Sequence, residues 1–203
     1  MIASIVVQRP AGGARQLFVL FHGADDDAVV LAPLGRRLAA AFPEGFVVVL
    51  PAPAQAADIL AAIASWQAQS GVAAEATAVL GFARGAAMAL ESTKAVPACA
   101  ARVVALAGWF DALPTQAAPD TTVHLFHGKE DAVTPYSRTI AAAQCLLDLG
   151  TDVTADVVPF VGHEVSDEMA ALVLERLRGY LPQRRWREAL EAAEAAQTPG
   201  ERK

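Results

Sequence analysis

The sequence predicts an α/β protein with a mostly parallel, doubly wound sheet that carries helices on both faces within a single domain. Short apolar segments alternate with helical patterns along the chain, which is the order of elements expected for such a sheet. The apolar segments are almost continuously hydrophobic, as in strands that are covered on both sides. A length of 203 residues and a hydrophobic content of 54% suit one compact domain with a substantial core.

The predicted elements follow one another at short intervals. Residues 1–7 lack a basic n-region and a sustained apolar stretch, so we interpret them as an edge strand rather than a leader. Short apolar runs predict six further strands, at 17–21, 46–50, 76–80, 103–106, 123–126 and 153–158. Helical periodicity, often rich in alanine and leucine, predicts helices at 29–41, 56–69, 85–94, 137–149 and 167–180.

The chain becomes polar from residue 183 onward. We therefore divide it into a domain at 1–182 and a polar C-terminal tail at 183–203, in which Trp186 and Leu190 stand at helical spacing among charges. This tail either docks on the domain or frays. Its arginines around Trp186 suggest an interaction surface, although a solvated amphipathic helix is the simpler explanation.

Composition narrows the possible partners. The formal net charge is −6 and no long basic stretch occurs, so nucleic acid is not an expected partner. No apolar run reaches the length of a membrane span, and Cys99 and Cys145 are the only cysteines. We expect a cytoplasmic protein without a cofactor or metal. The sequence leaves a homodimer open.

Residues 81–85, Gly-Phe-Ala-Arg-Gly, have the spacing of a nucleophile elbow. Such an elbow is a sharp turn between a strand and a helix, and it needs small residues on both sides of the central one. Gly81 and Gly85 supply them. The central position, where the attacking serine of a hydrolase would stand, is Ala83.

Two later segments predict the other members of a catalytic triad. Asp131 follows the strand predicted at 123–126, and His163 follows the strand predicted at 153–158. The chain order of elbow, acid and histidine is that of a hydrolase triad. In such a site His163 would take the proton of the nucleophile, while Asp131 would fix the tautomer of His163 and stabilise the imidazolium.

Oxyanion donors are expected at two loops beside the elbow. The strand predicted at 17–21 leads into the segment that holds Ala24, whose backbone N–H we predict as one donor. The N–H of Arg84, at the start of the elbow helix, is the predicted second donor. The aspartates at 25–27 suggest a metal site, but capping of the following helix is the simpler interpretation.

These motifs together carry a resemblance to a known family. The segments 21–23, 81–86, 127–131 and 162–163 resemble the carboxylesterase and phospholipase family of α/β-hydrolases. The likeness extends from about residue 17 to about 180, and it is closest to the small proteobacterial esterases of that family. The resemblance implies an α/β-hydrolase fold and the hydrolysis of esters or thioesters through an acyl-enzyme intermediate.

The sequence departs from the family pattern around the site. Ala83 replaces the serine, Arg84 replaces the usual glutamine, and Asp25 replaces a usual glycine of the oxyanion loop. The segment between residues 50 and 66 is also much shorter than in the family and lacks its tryptophan-bearing loop. An engineered inactive variant would ordinarily change only the serine, so these departures favour a naturally degenerate member.

The methyl side chain of Ala83 cannot attack a carbonyl, and loss of a catalytic serine typically costs on the order of a million-fold in turnover. We therefore expect the chain to be inactive or nearly so as an acyl-enzyme hydrolase. Two hypotheses remain for its function. Either water is activated directly by His163 and Asp131, or the chain is a binding module that holds a small anionic or acyl ligand near Arg84. Arg84 could equally point away from the cleft.

Overall fold

The computed structural model describes residues 4–23 and 28–197, and a seven-stranded sheet forms its centre. The spatial order of the strands is β1-β3-β2-β4-β5-β6-β7. β1 pairs with β3 in the antiparallel direction, and all other neighbours are parallel. In chain order the strands are β1 (Ile5–Gln8), β2 (Gln16–His22), β3 (Gly45–Pro51), β4 (Thr77–Phe82), β5 (Arg102–Leu106), β6 (Thr122–Gly128) and β7 (Asp152–Val158).

Within the described residues, six α-helices connect or follow the strands. They are α1 (Ala32–Ala41), α2 (Ala56–Ser70), α3 (Arg84–Ser92), α4 (Ser137–Asp148), α5 (Asp167–Gly179) and α6 (Gln183–Gln197). The helix predicted at 29–41 is divided, because Ala28–Val30 form a separate 3-10 turn and α1 carries a proline in its first turn. Proline has no N–H to donate, so it is tolerated at a helix start rather than in a helix interior.

Two apolar cores lie on opposite faces of the sheet. Side chains alternate along β2, so that Leu17, Val19 and Phe21 join the core under α2, α3 and α4. Phe18 and Leu20 join the core under α1 and α5. This two-residue alternation is the period of a strand, and burial on both faces explains why the strands are so uniformly apolar. The predicted α/β class, with a mostly parallel sheet and helices on both faces, is confirmed.

The tail forms α6, which stands largely outside both cores. The backbone N–H of Gln183 donates to Asp152 Oδ2 at 3.1 Å, and Arg184 donates to Thr122 Oγ1 at 3.4 Å. Both contacts come from the first turn of the helix, and residues 185–193 are exposed. None of the helices in the described part of the chain is both long and apolar enough to span a membrane.

Candidate active site

A sharp turn joins β4 to α3. β4 ends at Phe82 and α3 begins at Arg84, which leaves Ala83 alone between them with φ 51° and ψ −116°. A non-glycine residue in this region of backbone space is strained by on the order of 1–3 kcal/mol, and such strain clusters at functional sites. Two backbone bonds hold the turn, from Ala83 N–H to Leu106 O at 3.0 Å and from Ala87 N–H to Ala83 O at 3.1 Å.

Close approach of the backbone explains the two glycines of this turn. A Cβ atom on Gly81 would lie 2.3 Å from the backbone of Gly85. A Cβ atom on Gly85 would lie 1.9 Å from the carbonyl oxygen of Phe21. The first turn of α3 is therefore pressed against the backbone at the end of β2, and only residues without a side chain fit at both positions.

Asp131 and His163 form a direct pair. Asp131 lies in the loop after β6, and His163 lies in the loop after β7. The distance from His163 Nδ1 to Asp131 Oδ2 is 2.7 Å. A carboxylate accepts, so Nδ1 donates and Nε2 is left with its lone pair. The acid is buried and the imidazole is partly exposed, which is the arrangement of an oriented general base.

Three N–H groups donate to the carboxylate of Asp131, and a fourth nitrogen lies close to it. Its Oδ1 accepts from the N–H groups of Val133 and Thr134, each at 2.8 Å, and its Oδ2 also lies 3.2 Å from His127 Nε2. Burial by itself raises the pKa of this carboxyl group. Hydrogen bonds from Thr134, His163 and Val133 outweigh burial, so the pKa of Asp131 lies below its usual value. The group is a fixed anion at neutral pH.

Backbone contacts bring the histidine loop to the elbow. Glu130 N–H donates to Val161 O at 2.9 Å, which ties the acid loop to the histidine loop. The ring of His163 packs on the ring of Phe82, with 4.9 Å between their centroids. Phe82 directly precedes Ala83, so the predicted histidine lies beside the predicted elbow, and the predicted acid is bonded to that histidine.

The predicted oxyanion donors are only partly described. Ala24 and the aspartates at 25–27 lie outside the described residues. Arg84 is the first residue of α3, and a first-turn N–H has no acceptor within its own helix. Its guanidinium is paired with a carboxylate from the loop after β5. Arg84 Nη1 lies 3.5 Å from Asp111 Oδ2, and Asp111 Oδ1 accepts from Trp109 Nε1 at 3.1 Å.

Sequence reasoning assigned no function to His127 or to Asp111. His127 was part of the motif at 127–131, but no function was assigned to it, and it contacts the carboxylate of Asp131 from inside the protein. The bonds from Val133 and Thr134 to Asp131 have a local sequence signal, because an aspartate often accepts from the N–H groups two and three residues later. Nothing in the local sequence indicated that Asp111 would pair with Arg84.

Comparisons with known proteins identify the family of this chain. Residues 51–180 match the family described as Phospholipase/Carboxylesterase. The chain is 37% identical to the esterase YpfH of Escherichia coli over an alignment of 212 positions, gaps included, which covers 91% of each chain. It is 32% identical over 121 residues to acyl-protein thioesterase 1 of Gibberella zeae, covering 56% of this chain and 52% of that protein.

The fold is also similar to that of solved structures. The crystal structure of esterase PE8 superposes with a TM-score of 0.76 at 24% identity, covering 89% of this chain and 99% of that one. This likeness establishes the α/β-hydrolase fold. Together with the sequence matches, it shows that the chain belongs to the phospholipase and carboxylesterase family of hydrolases.

Proposed function

We propose that this chain is a pseudo-hydrolase of its family, with Ala83 at the nucleophile position and with the proton-transfer pair of the triad retained. The observation that carries the proposal is the 2.7 Å bond between His163 and Asp131, beside a strained elbow whose central residue is alanine. A triad uses its histidine to take a proton from the nucleophile. A methyl group has no such proton, so no acyl-enzyme forms at this position.

Other serines do not supply the missing nucleophile in this arrangement. Ser92 lies at the end of α3 and is buried, and its Oγ donates to Ala89 O at 2.6 Å. Ser166 caps α5 by accepting from Met169 N–H. Ser137 is an exposed residue at the start of α4. Each hydroxyl therefore has a local structural position, and none follows a strand in an elbow.

Some residual hydrolysis is compatible with the site. The Nε2 atom of His163 can accept a proton from water, and Asp131 would stabilise the imidazolium that forms. The N–H of Arg84 would stabilise an oxyanion. In serine hydrolases stripped of their triad, binding and the oxyanion hole still give on the order of a thousand-fold over water. The substrates proposed from the family are small esters or thioesters.

The experiment that tests the proposal restores the serine. Hydrolysis of a short-chain p-nitrophenyl ester is measured for the native chain, for Ala83→Ser, and for Ala83→Ser combined with His163→Ala. We expect the native rate to stay near background and Ala83→Ser to gain on the order of a thousand-fold or more. The gain should vanish in the double variant, because the serine then has no base.

A covalent probe makes the same test independent of turnover. A fluorophosphonate should add one label to Ala83→Ser, at residue 83, and none to the native chain. A native rate equal to that of Ala83→Ser would show that Ala83 is not at a nucleophile position. A silent Ala83→Ser variant that unfolds like the native chain would show that the site has decayed beyond its nucleophile.

That second outcome would favour a binding module, which is our second candidate function. The specific observation for it is the start of α3, where no acidic side chain lies in the first turn and Arg84 adds a positive charge. The pairing of Arg84 with Asp111 at 3.5 Å weakens this case, because it partly neutralises the cation. Calorimetric titration with butyrate and with inorganic phosphate, for the native chain and for Arg84→Ala, measures whether a small anion binds there.

A further inference from the structure

Helix α6 presents an apolar stripe that the rest of the described chain leaves uncovered. Trp186 and Leu190 are 57% and 56% exposed. They are four residues apart, so they lie on the same side of the helix, and Ala193 continues the stripe one turn later. A half-exposed tryptophan beside a leucine is a typical anchor of a protein interface.

The charges of α6 are arranged against its own dipole. Arg184, Arg185 and Arg187 occupy the first half of the helix, and Glu188 and Glu191 follow them. The first turn contains no acidic residue and the last turn contains no basic one. A helix dipole favours anions at the N-terminus and cations at the C-terminus. Arg185 pairs with Glu188 within the helix at 3.3 Å, but the order of the charges as a whole opposes the helix dipole.

The same order of charges suits a second helix of the same sequence in the antiparallel direction. With 100° of rotation per residue, Arg187 and Glu191 lie on the same flank of the apolar stripe. An antiparallel copy places the basic half of one helix beside the acidic half of the other. Each Arg187 then faces Glu191 of the second copy, Trp186 packs near Ala193 of the second copy, and the two dipoles oppose.

We infer that α6 is a self-association surface, through which two copies of this chain pair as a symmetric dimer of antiparallel helices. A two-fold axis uses the same patch on both copies, and every contact above occurs twice. The stripe is open to approach, because the first turn of α6 bonds to the body through Asp152 and Thr122 and residues 185–193 are exposed. The predicted partner is a second copy of this chain.

The test exchanges charges on the flank of the stripe. Arg187→Glu makes both flank positions acidic, and Glu191→Arg makes both basic. Sedimentation velocity is measured from about 1 µM to about 500 µM protein, the range of weak dimers. We expect the native chain to dimerise. Each variant alone should associate at least about tenfold more weakly, because like charges then meet across the axis.

Mixing the two variants is the decisive step. An equimolar mixture of Arg187→Glu and Glu191→Arg should recover association, since acidic flanks then meet basic ones. Repulsion within each helix is the same before and after mixing, so only contacts between chains explain recovery. Arg36→Glu makes the same change of charge at an exposed position of α1 and should behave as the native chain does.

Several results would overturn the inference. A native chain that remains monomeric up to the highest concentration would make α6 a solvated helix. Variants that associate as strongly as the native chain would place the dimer contact elsewhere. A mixture that stays as weak as its components would exclude the antiparallel pairing. Urea unfolding of each variant at low concentration should match the native chain and thereby exclude misfolding as the cause.

Discussion

The position of Asp131 is fixed by residues that would not touch a substrate. His127 is fully buried, and its Nε2 lies 2.8 Å from the carbonyl oxygen of Thr134. A carbonyl can only accept, so Nε2 carries the proton and Nδ1 accepts from the hydroxyl of Thr139 at 2.7 Å. His127 thus links the end of β6 to the first turn of α4 and holds the carboxylate that orients His163.

At the same scale, Gly85 should tolerate no side chain. A Cβ atom there would lie 1.9 Å from Phe21 O, and the contact is with backbone, which cannot rotate away. We expect Gly85→Ala to lose on the order of 4 kcal/mol of unfolding free energy or to fail to fold. Gly179→Ala is the matched control, because a Cβ atom there meets nothing within 4 Å. Urea unfolding followed by circular dichroism measures both, and equal stability would contradict the close approach at the elbow.

At the scale of elements, buried polar contacts join β5, β6 and β7 away from the elbow. His124 lies in β6 and is fully buried. Its Nε2 accepts from Arg102 at 3.2 Å, so its Nδ1 donates to the hydroxyl of Thr154 at 2.8 Å. Arg102 also donates to the carbonyl of Tyr180, just beyond α5, at 2.9 Å. One neutral imidazole therefore connects three neighbouring strands.

This histidine should make stability depend on pH. Burial, followed by the charges of Arg102 and Arg176, lowers the pKa of His124 to about 3. Between about pH 6.5 and pH 3 the unfolded chain binds a proton that the folded chain does not, so stability falls as pH falls. From pH 7 to pH 5 the loss from this group is about 2 kcal/mol.

Urea unfolding at pH 7, 6 and 5 measures this slope, and His124→Gln is the control. Glutamine keeps an acceptor for Arg102 and a donor for Thr154, but it does not titrate. The low pKa of Asp131 acts only at more acidic pH. A slope that is unchanged in His124→Gln would assign the pH dependence to other groups.

The elements themselves were largely predictable from the sequence. The strand predicted at 46–50 is observed as Gly45–Pro51, and the helix predicted at 56–69 is Ala56–Ser70. The strand is a short, continuous apolar run, and the helix is a longer segment of good helix formers that ends before Gly71. The strand predicted at 76–80 instead starts at Thr77 and runs to Phe82, because residues Ala74–Ala76 form a 3-10 turn. Such boundaries depend on local hydrogen bonds that periodicity does not encode.

The candidate site was predictable only where chain order carried the information. The order of elbow, acid and histidine indicated Asp131 and His163, and the structure places them 2.7 Å apart. The pairing of Arg84 with Asp111 was not predictable, because the two residues follow different strands and meet only when β4 and β5 pair. Side-chain contacts between neighbouring strands follow from sheet order, which the sequence did not specify.

At the scale of the whole molecule, stability resides in one sheet with two apolar faces. Every strand from β2 to β6 is buried along most of its length, and helices cover both sides. Residues 183–193 of α6, whose side chains are described, contribute to neither core. The stripe of α6 is exposed, and its first turn bonds to Asp152 and Thr122.

Removal of α6 should therefore leave the fold intact. A chain ending at Pro182 loses the bonds from Gln183 to Asp152 and from Arg184 to Thr122, while Asp152 keeps the hydroxyl of Tyr180 at 2.6 Å. We expect the unfolding free energy at low micromolar concentration to change by about 1 kcal/mol or less. The urea midpoint of the native chain should rise with protein concentration if α6 pairs two copies, and that of the shortened chain should not. A shortened chain that fails to fold would place residues 183–197 inside the folding unit and would contradict the division at residue 182.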